Sequence, residues 1–327
     1  MSAADSLGPD ATLADVGEFG LVDAFKARFP QGDHVYIGPG DDAAVLRTPT
    51  GHVVVSTDLL VEGRHFRREW APAHQVGRKA AASNLSDVNA MGGTAHSLTV
   101  GIAAPADLPA RWVLDLADGI AEEAALVGAS VVGGDLTTAD QVVLAITVLG
   151  ACEIAPVRRT GARPGDVLAL AGRQGWAAAG LAVLGRGFRS PRALVEAYQR
   201  PDPPYAAGPA AARAGATSMI DVSDGLLADA GHLAQDSGVA IDVRTDAFVL
   251  AEPMRAVGSA LGVDPLQFVL GGGDDHALLA TFPAGATLPE GFAAIGTVAE
   301  PVPGTTGPDL VTVDGAAYDG TRGWTHF

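Results

Sequence analysis

The stretch SMIDVSDGLLADAGHLAQDS, residues 218–237, places a strand, an acidic loop and a helix in immediate succession. Ser218–Asp221 is a short apolar run ending on an acid, and Leu226–Ser237 repeats its apolar residues at intervals of three and four. Between them, Ser223-Asp224-Gly225 is a turn signal in which Ser223 or Asp224 stands where a helix N-cap belongs. Downstream the same reading gives a strand at Val239–Val243, helices at Pro253–Leu261 and Pro265–Leu270, and strands at Ala277–Phe282 and Ala293–Val298. Upstream lie a strand at Val167–Ala171, a helix over Trp176–Leu184, a Pro-rich loop at Arg200–Pro204 and a helix near Pro209–Ala214. Nearer the N-terminus, Val16, Phe19, Val22, Phe25 and Phe29 mark a first helix, followed by strands at Ala43–Leu46 and Val53–Ser56. A helix over Ala73–Met91, a strand at Ser97–Ile102, a helix over Pro109–Val127 and strands at Ser130–Val132 and Val142–Leu149 complete that half. Strands and helices do not alternate strictly, which predicts an α+β pair of domains rather than a doubly wound sheet. The Pro- and Arg-bearing connection from Ala155 to Gly165 sets the expected boundary: 1–14 a disordered tail, 15–154 an N-terminal domain with a mixed sheet and helices, 155–327 a C-terminal α/β domain.

Composition excludes several classes of protein. The 327 residues carry 38 Asp+Glu against 21 Lys+Arg, a formal charge of −17, so the chain lacks the positive surface that nucleic acids or anionic membranes require. Its 48% hydrophobic share excludes an acidic disordered chain. A membrane span needs roughly 18 apolar residues, and the best run, Val142–Cys152, is shorter. The N-terminus has acids and no basic region, so a cytoplasmic protein is expected. Cys152 alone forbids an internal disulfide or a CxxC site and reads as a buried structural thiol. The only lysines, Lys26 and Lys79, lie in no phosphate-loop motif, so phosphates here would be neutralised by metal ions and arginine.

Acids recur in one design, an Asp beside Gly or a small hydroxyl residue. The clusters are Gly40-Asp41-Asp42, Ser56-Thr57-Asp58, Asn84-Leu85-Ser86-Asp87, Gly133-Gly134-Asp135, Asp221-Val222-Ser223-Asp224-Gly225 and Gly271-Gly272-Gly273-Asp274-Asp275. Singly, each is a turn, a cap or a solvated acid. Together they read as a site, because Asp58, Asp135 and Asp221 each follow an apolar run and are expected at strand ends, and Asn84 and Asp87 share a helix face. Clustered carboxylates repel unless a cation joins them. Oxygen donors point to Mg²⁺ with substrate phosphates, and the scattered His residues offer no zinc spacing.

These motifs, with Leu60-Val61-Glu62-Gly63, His65-Phe66, Ala90-Met91-Gly92, Thr137-Thr138, Arg159-Thr160-Gly161-Ala162, Pro164-Gly165-Asp166 and the closing Gly323-Trp324-Thr325-His326-Phe327, resemble the thiamine-monophosphate kinases. That family belongs with aminoimidazole ribonucleotide synthetase, selenophosphate synthetase and a hydrogenase-maturation ATPase, all two-domain α+β proteins that use ATP. The resemblance implies the aminoimidazole ribonucleotide synthetase-like fold, transfer of the ATP γ-phosphoryl group to thiamine monophosphate with several Mg²⁺ ions, and a homodimer formed through the N-terminal domains. It assigns Asp42, Thr57, Asp58, Asp87, Asp135, Asp221 and Asp224 to Mg²⁺ with help from Ser56. Gly134, Asp135, Arg159 and Ser223 fall to ATP, and His65, Asp274 and Trp324 to the thiamine side. The motifs run across both halves, so the site is expected between them.

Two departures stand out: Asp274 replaces a family Glu, one methylene longer, and Pro39 stiffens the first glycine turn. Structural alternatives stand beside three assignments: Trp324 as a core plug, His65 as a polar residue bonded to backbone, and Arg159 in a surface ion pair. The competing functions are a related superfamily enzyme with another acceptor and a catalytically silent nucleotide- or metal-binding module. Selenophosphate synthetase or the maturation ATPase would want a reactive Cys near one terminus, and Cys152 is not placed for either.

Overall fold

The structure, a computed structural model, describes residues 11–37, 45–47 and 51–324. The chain divides into two compact units, the first made of 1–88 and 94–151, the second of 89–93 and 152–327. The division after Ala151 falls three residues before the expected boundary, and the short segment 89–93 groups with the second unit.

The first unit begins with α1, Leu13–Lys26. Thr12 Oγ1 and the Thr12 amide both donate to Asp15 Oδ2, at 2.7 and 2.9 Å, and the Leu13 amide bonds the Leu108 carbonyl at 3.0 Å. These bonds hold residues 12–14 in the start of α1, against the expected disorder of that part of 1–14; residues 1–10 lie outside the described residues. Two short strands, β1 (Val35–Ile37) and β2 (Val45–Leu46), pair antiparallel. The main sheet contains β3 (Val54–Val61), β4 (Thr94–Ala104), β5 (Ser130–Thr138) and β6 (Val143–Ala151) in the order β3-β6-β4-β5. β4 and β5 run parallel and the other pairs antiparallel, giving the mixed sheet.

Helices α2 (Ala73–Ala90) and α3 (Ala110–Ala125) approach each other backbone to backbone. A Cβ at Gly77 would lie 2.1 Å from the Leu116 carbonyl oxygen, and one at Gly119 would lie 2.0 Å from that of His74. Close by, Arg78 spans the two helices, donating to Glu123 at 2.6 Å, and Glu123 is almost fully buried. α2 also packs on the sheet: Val88 fills the space above Gly150. One sheet face is therefore helix-covered, with Leu98, Ile146 and Val148 buried, while Val55 and Leu59 on the other face are 64% and 57% exposed.

The second unit contains β7 (Val167–Ala171), α4 (Trp176–Gly185), α5 (Arg192–Gln199), α6 (Ala207–Arg213), β8 (Ser218–Val222), α7 (Leu226–Ser237) and β9 (Ala240–Val243). After these come α8 (Glu252–Leu261), α9 (Leu266–Gly271), β10 (Ala277–Phe282), β11 (Phe292–Ala299) and β12 (Val311–Val313). The sheet order is β12-β9-β11-β7-β10-β8, antiparallel except for β12 and β9. Both faces are covered. Leu168, Leu170, Ile220, Leu279 and Ile295 pack with α7 on one side, and Ala169, Met219, Leu278, Ala280 and Phe282 with α6 on the other. All six residues of β10 are consequently buried. The two sheets with their helices meet the expected α+β two-domain architecture. α5 was not anticipated, because its apolar residues Leu194, Val195, Ala197 and Tyr198 sit between a Pro and a Pro-rich loop.

Candidate functional site

The first unit builds its acidic cluster where α2 meets β3. The Ser56 hydroxyl donates to Asp87 Oδ2 at 2.6 Å, and the Asp58 amide donates to Asn84 Oδ1 at 3.1 Å. Asn84 is itself fixed by its Nδ2 on the Ala80 carbonyl, 3.0 Å away. Asn84 and Asp87 thus face the edge strand together, as their helical spacing requires. Asp58 and Asp87 are half-buried, and the donors around them are hard oxygens.

Strand register corrects two expectations. β3 extends to Val61 and β5 to Thr138, so Asp58 and Asp135 lie within strands rather than at their ends. Side chains then alternate between faces. The lateral row Asp58, Ile146, Val100 and Gly134 is on the helix-covered face. The neighbouring row of Leu59, Ala145, Gly101 and Asp135 is on the open one. Thr57 also points to the open face, its hydroxyl donating to the Ile146 carbonyl at 2.9 Å and lying 2.6 Å from that of Thr147. The Thr57 and Asp135 side chains are therefore not brought together with Ser56, Asp58 and Asp87. Gly134 has a structural reason of its own, since a Cβ there would stand 2.0 Å from the Val100 carbonyl. Asp42 lies outside the described residues.

His65 closes the turn after β3. Its Nδ1 accepts the Val61 amide at 2.9 Å and its own amide bonds the Val61 carbonyl, so the backbone-bonded arrangement is present, on a half-buried ring. Arg159 is exposed, its carbonyl held by Ser237 Oγ at 2.9 Å, and no ion pair to it is found among the described residues. The adjoining segment lines a cavity of about 570 Å³ with Arg158, Thr160, Arg163 and Thr217. Cys152 is half-buried rather than buried; burial pushes its thiol up, and Sγ lies 3.5 Å from the Met91 carbonyl.

The second unit gathers its acids around the loop between β8 and α7. Asp221, near the end of β8, is buried and 3.0 Å from His276 Nδ1, itself buried. Neither Ser223 nor Asp224 caps α7: the N-cap is Gly225, without a side-chain bond. The stabilising group is Asp229, whose Oδ2 accepts the amides of Ser223, Asp224 and Gly225 at 3.1, 3.1 and 3.0 Å. Burial pushes its carboxyl up to about 7 despite these bonds, and the charges of Asp221 and Asp224 add to the rise. Ligand atoms of Asp224, Asp229 and His232 lie within 4.8 Å of one another. Asp274 and His276 adopt positive φ, 71° and 52°, on either side of Asp275. Asp275 is buried, accepts the Ala177 amide at 3.0 Å, and is raised to about 7 chiefly by that burial. Trp324 is 57% exposed, which removes the core-plug reading, and its amide donates to the Asp224 carbonyl at 2.9 Å.

Residues 40–152 match the model of AIR synthase related protein, N-terminal domain, and residues 163–285 that of AIR synthase related protein, C-terminal domain. Fold and acidic clusters together thus define a two-domain AIR-synthase-related protein. Thiamine-monophosphate kinase of Mycobacterium tuberculosis H37Rv is 44% identical over 318 residues, covering 97% of this chain and 93% of the relative. That of Corynebacterium glutamicum is 37% identical, covering 100% and 98%. The solved AaThiL complexed with AMPPCP and TMP aligns at 32% identity with a TM-score of 0.76, over 97% of this chain and 99% of its own. The chain belongs to the thiamine-monophosphate kinase family. Hydrogenase maturation protein HypE, at 18% identity and a TM-score of 0.68, shares the fold alone.

Proposed function

We propose that this chain phosphorylates thiamine monophosphate with ATP, giving thiamine diphosphate by direct in-line transfer, the last step in making that cofactor. The observation that carries this is kinship along nearly the whole chain: 44% identity over 97% of it to a curated thiamine-monophosphate kinase. A relative solved with an ATP analogue and TMP aligns over the same extent. The acceptor is a phosphate monoester whose second pKa is about 6, so its attacking oxygen is ionised at neutral pH and no general base is needed. What the protein must supply is positioning of two polyanions and relief of their repulsion.

The side chains present fit Mg²⁺. Their donors are hard oxygens, and ligand atoms of Asp224, Asp229 and His232 lie within 4.8 Å of one another beside Asp221. Ser56, Asp58 and Asp87 in the first unit, and Asp221 and Asp224 in the second, would hold the ions; Asp42, Thr57 and Asp135 enter by resemblance only. When bound, Mg²⁺ neutralises phosphate charge and orients the transferring group. Arg159 and Ser223 would serve the nucleotide, with Gly134 bringing backbone near its phosphates; His65, Asp274 and Trp324 would serve the thiamine side, for which exposure of the Trp324 ring is a requirement.

We read the protein as a cytoplasmic homodimer. No helix among the described residues is long and apolar enough to cross a membrane. The exposed Val55 and Leu59 of the open sheet face are what a second copy would cover. The activity is tested by ADP release with thiamine monophosphate, thiamine, an aminoimidazole precursor or no acceptor, each with and without Mg²⁺. ADP and thiamine diphosphate are expected only with thiamine monophosphate and Mg²⁺, and Asp58→Asn should abolish both while leaving cooperative unfolding intact. Nucleotide binding without ADP from any acceptor would instead indicate a silent binding module.

A further inference from the structure

The loop between β8 and α7 is tied on both sides of its backbone. Its amides, those of Ser223, Asp224 and Gly225, all converge on the one oxygen of Asp229. Its carbonyls serve other residues: that of Val222 accepts the His276 amide at 3.2 Å, that of Ser223 the Asp274 amide at 2.9 Å, and that of Asp224 the Trp324 amide at 2.9 Å. Asp229 stands in the first turns of α7 and is 3% exposed, so this oxygen has been taken from water to serve those donors. A single side chain thereby sets the course of a loop to which Asp274 and Trp324 are anchored, and which itself carries Ser223 and Asp224.

We propose that Asp229 is a positioning residue for phosphoryl transfer, holding the 223–225 loop so that Ser223, Asp224, Asp274 and Trp324 keep one mutual arrangement. The inference rests on the function proposed above, which supplies the roles of those four residues. Asp229 need not touch substrate. Its contribution comes through fixed geometry, and displacement of a reacting group by an ångström costs on the order of 10²-fold in rate.

The test compares Asp229→Ala, which removes the acceptor, with Asp229→Asn, which keeps an oxygen in its place, and with Leu233→Ala, which opens the core beside the same helix. For Asp229→Ala we expect kcat/KM for both substrates to fall about 10²-fold, a higher Mg²⁺ half-saturation, and altered quenching of Trp324 fluorescence by thiamine monophosphate. Asp229→Asn should recover to within about threefold of wild type, and Leu233→Ala should lose thermal stability with its kinetics unchanged. Kinetics within threefold of wild type for Asp229→Ala, or an equal loss in Leu233→Ala, would overturn the proposal. If Asp229→Ala does not fold, Asp229→Ser, too short to span the three donors, takes its place. Amide exchange separates this idea from the parent reading. An inactive wild type would sink the kinase assignment, whereas unchanged protection of the Ser223–Gly225 amides in Asp229→Ala would sink the positioning role whatever the reaction.

Discussion

A carboxyl group sealed from water with only backbone amides to bond is a poor host for a negative charge, and Asp275, facing the Ala177 and Gly175 amides, is such a group. Its ordinary value of 3.8 is raised to about 7, first by burial, with the Asp274 charge adding and the Ala177 amide and Arg173 opposing. The sign follows from where the proton resides. Below 3.8 both folded and unfolded chains carry it and the stabilising contribution is complete; between 3.8 and about 7 only the folded chain keeps it, so stability falls as pH rises. A rise of about three pH units corresponds to about 4 kcal/mol lost by pH 8. Asp275→Asn, which cannot ionise, should therefore gain in melting temperature relative to wild type between pH 4 and pH 8. Parallel melting curves across that range would show that Asp275 ionises freely in the fold. Of the residues around it, Asp274 was singled out from sequence as a departure from a motif. Asp275 stood in the sequence only as a member of the same acidic cluster and Asp229 in none, because a buried acid and an exposed one look alike until the packing is known.

At the scale of elements, two adjacent glycines separate a steric requirement from a ligand-binding one. A methyl group at Gly134 would meet the Val100 carbonyl at 2.0 Å, whereas the nearest neighbour to one at Gly133 is a methyl carbon 4.0 Å away. Gly134→Ala must push β5 from β4 and should cost about 1–3 kcal/mol, the usual penalty of overpacking. Gly133→Ala should leave the melting temperature unchanged. If Gly134→Ala melts with wild type but binds ATP weakly, the glycine is there for the nucleotide. The same strands show how far pattern reading reaches. The shared face of Asn84 and Asp87 was legible, since a three-residue step along a helix is local, whereas the meeting of that face with Ser56 and Asp58 was not. The faces of Thr57 and Asp135 were not, because they depend on how far β3 and β5 continue. Sheet pairing carries β5 on through Gly133, Gly134 and Asp135, which have no apolar signal, and carries β3 past the polar Thr57 and Asp58 to Leu59, Leu60 and Val61.

At the scale of the molecule, a charge of −17 is partly concentrated in an acidic cluster in each unit, and under the proposed function those acids would take up anionic substrates through bound cations. The open face of the first sheet bears on assembly. Val55 and Leu59, 64% and 57% exposed, form an apolar pair on an edge strand that a solitary chain would leave wet. If the proposed dimer forms through this face, light scattering after gel filtration should report a dimer for the wild type and a monomer for Val55→Lys and Leu59→Lys combined. A variant that stays dimeric would send the interface elsewhere, and a monomeric wild type would remove the dimer.

The sequence by itself determined the α+β class, the two-part organisation and the family. These follow from local periodicity, turn chemistry and motifs that run in order along the chain. Tertiary structure alone decided which face each strand residue takes, which carboxyls are buried, and that Asp229 rather than Ser223 or Asp224 holds the loop before α7. Those outcomes depend on strand register and on contacts between residues distant in the chain, and the desolvation that raises Asp229 and Asp275 exists only after packing has excluded water.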